Sequence, residues 1–199
     1  MKHNSVKYYA LSSFMAVLTG IMAQVCFYIG PIPYTMQNYA IVLTALILKP
    51  KYATISQLTY LALIALGLPL AANMKGGIIV LMGPTAGYLW SFPLVVYLIS
   101  KIVKPIADEG KYIKAWIICN LISTITYIIG TLWLYLWISI FNGVIRSWIM
   151  IISNYLKIHT SPILSIFFIG TIIFIPQDFL IDHLLAILTY KEIHRLKIN

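Results

Sequence analysis

The chain has 199 residues, 61% of them hydrophobic and 10% charged, with a mean hydropathy of +0.91. A soluble domain is roughly 45–50% apolar and about 25% charged, so the 14 Lys and Arg and 5 Asp and Glu of this chain are too few to clothe a water-facing surface. This composition excludes a soluble enzyme or binding domain, and the net charge of +9 reads as a membrane-topology signal rather than a nucleic-acid footprint, because the basic residues flank apolar runs.

In lipid a spanning segment must satisfy its own backbone, which leaves helices or a closed barrel. The apolar runs here are long and do not alternate with polar residues, so the expected fold class is all-α integral membrane, with residues 1–199 as a single membrane domain. The first run, 8–28, exceeds the roughly 7–15 residues of a signal-peptide core and lacks a convincing A-x-A site, so it reads as a retained span. Gly30, Pro31 and Pro33 break it, since proline donates no backbone bond. The second, 35–48, is short: about 14 residues reach about 21 Å against a core of about 30 Å. Lys49, Pro50 and Lys51 form a basic turn before the third span, 52–66, which ends at Gly67 and Pro69. A loop over 71–77 precedes the fourth span, 82–103, and the charged segment 104–114 reads as an aqueous loop. The fifth span is 115–141. Residues 142–159 read as an interfacial amphipathic helix plus a loop, and the sixth span is 162–189 with Pro176 inside it.

With six spans both termini share a side with the 49–51 and 104–114 loops. Eleven of the Lys and Arg residues then lie on that side and three, Lys75, Arg146 and Lys157, on the other. That bias places both termini in the cytoplasm. Cys26 and Cys119 sit inside apolar runs, and no Cys or His pair has ligand spacing, so no metal site is expected. There is no G-x-x-x-x-G-K-[ST] phosphate loop, no H-E-x-x-H and no G-x-S-x-G, so no catalytic residue and no ATP hydrolysis are expected of this chain.

Four groups of residues stand out. The stretch MGPTAGYLWSF, from Met82 to Phe92, interrupts an apolar run with Gly83, Pro84, Thr85 and Gly87. Broken helices in membranes line cavities, and small residues equally serve helix packing. Asp178 is an ionisable group inside an apolar run, just after Pro176, and reads as a ligand contact. Asp182 and His183 follow one turn on and are placed at the interfacial end of the span. Ser12, Ala16 and Gly20 recur every four residues, a small face that suits either a neighbouring span or a partner subunit. Asn73 and Lys75 precede the broken segment, as solvated loop residues or as a carboxylate site at a cavity mouth.

The run GLPLAANMKGGIIVLMGPTAGYLWSFPL (Gly67–Leu94) resembles the hallmark of the BioY biotin transporters, the substrate-binding S components of energy-coupling factor (ECF) transporters. IPYTMQNYA (Ile32–Ala40), YIIGTLWL (Tyr127–Leu134) and FIPQDFL (Phe174–Leu180) match further family patterns in chain order. The resemblance implies an S-component fold of six transmembrane helices in the bacterial cytoplasmic membrane. It implies biotin as transported ligand, with no cofactor, and ATP hydrolysis supplied by two ATPase subunits through a transmembrane coupling subunit. Biotin contacts are then expected at Thr35, Gln37, Asn73, Lys75, Gly83, Thr85, Tyr88 and Asp178. Gly87 would let the backbone approach the ligand, Tyr88 and Trp90 would wall it, and Ser12, Ala16 and Gly20 would dock the coupling subunit. The chain departs from the pattern at Ala86, at Gln177 where the family has glycine, and at Ile181 where it often has lysine. Those departures motivate an S component for another small vitamin. Asp178, Asp182 and His183 motivate a solitary proton-coupled transporter.

Overall fold

In a computed structural model of the chain, the residues described are 2–29, 32–141, 147, 150, 151, 168–172 and 174–198. The interfacial helix expected over 142–159 and the start of the sixth span fall largely outside them. Helix α1 is Lys2–Gln24, and it stops earlier than the apolar run does. Cys26–Ile29 (β1) pairs antiparallel with Ile32–Thr35 (β2), Cys26 opposite Thr35 and Ile29 opposite Ile32. The helix expected as far as Tyr28 is therefore a strand from Cys26 onward. Pro33 holds the residue before it extended, and the Phe, Tyr and Ile residues favour a pleated surface.

Helix α2, Gln37–Ile47, is buried on nearly every side and forms the centre of the bundle. Leu48 is extended, and Pro50 opens α3, Pro50–Ala65, where its missing N–H has no helical partner to lose. The C-terminus of α3 is closed by Gly67 at φ +98°: Gly67 N–H donates to Ile64 O at 2.9 Å and Leu68 N–H to Leu63 O at 3.1 Å, a Schellman closure. One turn of 3-10 helix, Ala72–Met74, and one of α-helix, Ile78–Leu81 (α4), precede the Gly83-Pro84-Thr85 break. Helix α5 runs Ala86–Asp108 and α6 Tyr112–Phe141, joined through Gly110 at φ +76°. The segment read as an aqueous loop from Lys104 is thus helical as far as Asp108, with Lys104 bridging Asp108 one turn on at 2.9 Å.

The last segment contains two π-helical turns, Phe168–Ile172 and Asp178–Asp182, on either side of the single turn Ile175–Gln177, and continues as α7, His183–Ile198. Pro176 sits in that single turn, where it removes one backbone donor, and widened turns accommodate such a loss. Among the described residues four helical stretches are long and apolar enough to cross a membrane: Ser5–Gln24, Ala86–Asp108, Tyr112–Phe141 and Gly170–Leu196. The chain is a multi-pass membrane protein, with α2 and α3 shorter at 11 and 16 residues.

Helices α5 and α6 meet through glycines. A Cβ on Gly87 would lie 2.4 Å from Trp133 Cβ and 2.9 Å from the Ile129 carbonyl, and one on Gly130 would meet the Tyr88 ring. Gly87 therefore serves helix packing, which corrects the expectation that it admits a ligand. Gly87→Ala should lower stability by about 1–3 kcal/mol through overpacking. Gly67→Ala, where nothing lies within 4 Å, should lose only the left-handed backbone preference, about 1–2 kcal/mol. Thermal unfolding in detergent measures both, and a Gly87→Ala protein as stable as the parent would refute the close-packed interface.

Candidate functional site

A cavity of about 820 Å³ opens at one end of the bundle. Its walls come from the hairpin, the start of α2, the 71–75 turn, the Gly83-Pro84-Thr85 break, the first turns of α5, the C-terminal half of α6 and the Pro176 segment. The lining is largely apolar with a few polar groups, the composition of a small-molecule site.

The break is stabilised from across the cavity. Proline at 84 and glycine at 83 interrupt the helical ladder, and in a bilayer the freed carbonyls have no water to turn to. The Trp133 indole N–H donates to the Gly83 carbonyl at 2.8 Å, and the Trp137 indole N–H to the Met82 carbonyl at 3.1 Å. The two tryptophans are one turn apart on α6, so one helix face serves both. Thr85 occupies the N-cap position of α5 without a side-chain capping bond and lines the cavity. Tyr88 lines it too, with its hydroxyl donating to Gly170 O at 2.7 Å. Trp90 does not: it is 43% exposed and packs against Trp133 on the outside, which corrects its expected place in the wall.

Asp178 reaches the cavity although only 2% of it is exposed. The Tyr127 hydroxyl donates to Asp178 Oδ2 at 2.5 Å, and the Asn38 side chain is a second hydrogen-bond partner. An aromatic column secures the segment: Tyr34 stacks on Phe27 at 5.1 Å and on Phe174 at 4.4 Å, and Tyr88 tilts against Phe174. Asp182 and His183 are 0% and 1% exposed, which corrects their interfacial placement. The helix continues to Ile198, so both lie inside the bundle, with His183 Nδ1 2.6 Å from Asn120 Oδ1. Gln177 donates to the Thr35 carbonyl at 3.2 Å and ties the segment to the hairpin rather than facing the cavity. Ile181 is 49% exposed, outside the wall.

Thr35 and Gln37 both line the cavity and begin a relay. The Thr35 hydroxyl donates to Gln37 Oε1 at 2.8 Å, Gln37 Nε2 to the Tyr60 hydroxyl at 2.7 Å, and Tyr60 to the Leu70 carbonyl at 3.1 Å. Lys75 is an exposed residue on the wall. Asn73 is not on it: with φ 59° and ψ 43° it is the first of two left-handed residues of the 71–75 turn, followed by Met74 at φ 55°, and asparagine tolerates that conformation. Gln24 fastens that turn, donating to Ala71 O at 3.0 Å and accepting from Met74 N–H at 2.9 Å.

Ser12, Ala16 and Gly20 are buried within the chain itself. Ser12 donates to the Tyr52 carbonyl at 2.9 Å, and a Cβ on Gly20 would stand 2.7 Å from Leu70 Cδ2. The small face is used to seat α1 on α3 and Leu70, which corrects the expectation that it is open to a partner.

The cavity thus gathers Thr35, Gln37, Lys75, Gly83, Thr85, Tyr88 and Asp178, seven of the eight positions the sequence marks, in one place. The model of the BioY family matches residues 1–198. The chain belongs to the BioY family. It is 34% identical over 125 residues to "Probable biotin transporter BioY" of Pyrococcus horikoshii, covering 63% of this chain and 72% of that one. It is 41% identical over 92 residues to "Biotin transporter BioY" of Thermotoga maritima, covering 46% and 52%. The fold is that of a crystal structure described as the S-component for biotin from an ECF-type ABC transporter, with a TM-score of 0.76 at 24% identity over 98% of this chain and 94% of that one.

Tyr127, Asn38, Trp133, Trp137 and Phe174 also build the cavity; all but Trp137 fall in the family-like runs, yet none is among the ligand contacts expected from the sequence. The tryptophan pair leaves a readable trace, two indoles at i and i+4 on an apolar helix facing a broken one. Trp133→Phe should remove one of the two donors to the Gly83 carbonyl, which keeps the Ala86 N–H at 3.1 Å, at a loss of about 0.5–1.5 kcal/mol. Melting of the detergent-purified protein reads this, and an unchanged midpoint would mean the break stands without its indole.

Proposed function

We propose that the chain binds biotin in this cavity and delivers it across the bacterial cytoplasmic membrane as the S component of an ECF-type transporter. The observation that carries the reading is Asp178, a buried carboxylate at the cavity wall oriented by Tyr127. A carboxylate accepts the two N–H groups of a ureido ring more strongly than a neutral acceptor does. The aromatic and aliphatic wall suits the thioether ring and chain, and Lys75 at the rim suits the valerate carboxylate. Family membership and the biotin named for the relatives support the same ligand.

In this reading α2 and α3 are the second and third of six spans, and both termini lie in the cytoplasm on the lysine-rich side. The chain performs no covalent chemistry. ATP hydrolysis comes from two partner ATPases through a coupling subunit, in keeping with the lack of a phosphate-binding loop in the sequence. Gln177 and Ile181 are the residues that point to a different vitamin, and neither lines the cavity, so biotin is preferred. The burial of Asp178, Asp182 and His183 on consecutive turns favours one other reading, solitary proton-coupled uptake. Uptake that survives loss of the ATPases and is abolished by a protonophore would establish it.

Calorimetric titration of the purified chain with biotin, against thiamine and riboflavin, tests the ligand, and absence of biotin heat would sink the proposal. Asp178→Asn should weaken biotin roughly ten- to a hundredfold, the worth of one charge-assisted hydrogen bond. Lys75→Gln should weaken biotin about fivefold, as an exposed ion pair does, and leave biotin amide unaffected. Equal losses for the acid and the amide would remove Lys75 from the carboxylate.

A further inference from the structure

A second concavity lies at the opposite end of α6 from the cavity. It is a groove of about 550 Å³ between the start of α6 and one face of α7. Its two halves differ in chemistry. On α7 the residues Leu184, Ile187, Leu188 and Lys191 follow the i, i+3, i+4, i+7 spacing of a single helix face. Leu184 and Leu188 are 40% and 45% exposed, so the apolar half is open along its length. The other half is basic. Lys111, Lys114 and Lys191 line it, and no acidic residue does. Lys111 is paired with Glu109 at 2.7 Å, and the Glu109 carboxylate also feels the charge of Lys114, while neither Lys114 nor Lys191 makes a direct ion pair among the described residues. Lys191 lies over the Tyr112 ring at 5.7 Å, and the Trp116 indole N–H is bound to the Phe179 carbonyl at 2.9 Å. Aromatic rings with a polar edge mark the headgroup level of a membrane protein, which puts the three lysines at that level and the leucines in the acyl region.

We propose that this groove binds an anionic phospholipid of the surrounding bilayer, its phosphate between Lys111, Lys114 and Lys191 and an acyl chain along Leu184 and Leu188. Charge complementarity selects the occupant. Three lysines on the groove against the one neighbouring carboxylate of Glu109 leave a net positive charge that favours a headgroup with net negative charge over a zwitterionic one, and basic pockets between membrane helices hold such headgroups. The apolar half selects a lipid over a free anion, because an inorganic phosphate or a headgroup fragment leaves the leucine face unfilled.

Native mass spectrometry of the full chain in neutral detergent tests this. Phosphatidylglycerol is titrated against phosphatidylcholine, and glycerol phosphate serves as the headgroup-only probe. One phosphatidylglycerol should be retained at concentrations where the other two are lost. Lys114→Gln together with Lys191→Gln should weaken it on the order of thirtyfold, from about 1 kcal/mol per lysine near a charged headgroup. Lys114→Arg with Lys191→Arg should retain it. Biotin binding, which occupies the other end of the molecule, should persist in both variants and reports that they are folded. If the Gln variant fails to fold, the lipid preference of the wild-type chain and the Arg variant decide the matter. Equal retention of phosphatidylcholine, equal binding of glycerol phosphate, or undiminished phosphatidylglycerol on the folded Gln variant would each overturn the proposal.

Discussion

A bilayer supplies no water to irregular backbone, and the cavity end of this protein is made of irregular backbone. The architecture depends on meeting that requirement from inside the chain. At the Gly83-Pro84 break the carbonyls of Met82 and Gly83 are taken by Trp137 and Trp133. In the 71–75 turn Gln24 satisfies Ala71 and Met74 from the end of α1. The Leu70 carbonyl receives Tyr60, and the Thr35 carbonyl receives Gln177. Each irregular stretch is anchored by a side chain from a regular helix or from the next irregular segment. The cavity is the space left between these anchored stretches.

The same anchoring explains why the buried polar residues do not simply weaken a membrane fold. Unsatisfied polar groups in hydrocarbon are costly, and here most are spent in short relays. Thr35, Gln37 and Tyr60 end on a backbone oxygen rather than on an empty valence. Gln57 reaches Thr19 across the contact between α1 and α3 at 3.2 Å. The small face of α1 at Ser12, Ala16 and Gly20 allows that contact to be close. Burial of these three residues therefore has a packing function within the chain, whatever the outer face of α1 meets.

The parts of this structure that follow from composition and the length of apolar runs are legible in the sequence: the membrane class, the run of helices and the Gly-Pro interruption at Gly83. The departures have specific physical causes. The stretch from Cys26 to Thr35 is as apolar as a helix, and hydropathy alone does not separate a hairpin from a span. Its prolines signal only that something ends. Asp182 and His183 read as near a surface because the apolar run ends a few residues after them, whereas α7 carries on to Ile198. Lys104 to Asp108 reads as a loop by charge, yet an i, i+4 ion pair is compatible with a helix end. The site residues separate in the same way. Positions fixed by a break in the chain, such as Gly83, Thr85 and Asp178, stand out locally. Tyr127 and Trp133 are ordinary aromatics on a long helix by composition, and only the tertiary fold brings Asp178 to the one and the Gly83 carbonyl to the other.

That crossing also explains how a cavity of this size coexists with a rigid bundle. Trp133 packs directly on Gly87 and the Tyr88 ring on Gly130, and from those seats Trp133 holds the break and Tyr88 reaches Gly170. The glycines that let the two helices close thus also seat two aromatic walls of the cavity. Asp178 gains its orientation from the same helix through Tyr127. A ligand that donates hydrogen bonds to Asp178 meets an acceptor already positioned by α6, with little side-chain freedom left to lose. Preorganisation of that kind lowers the ordering cost of binding, and it lets a largely apolar cavity with few polar contacts be selective.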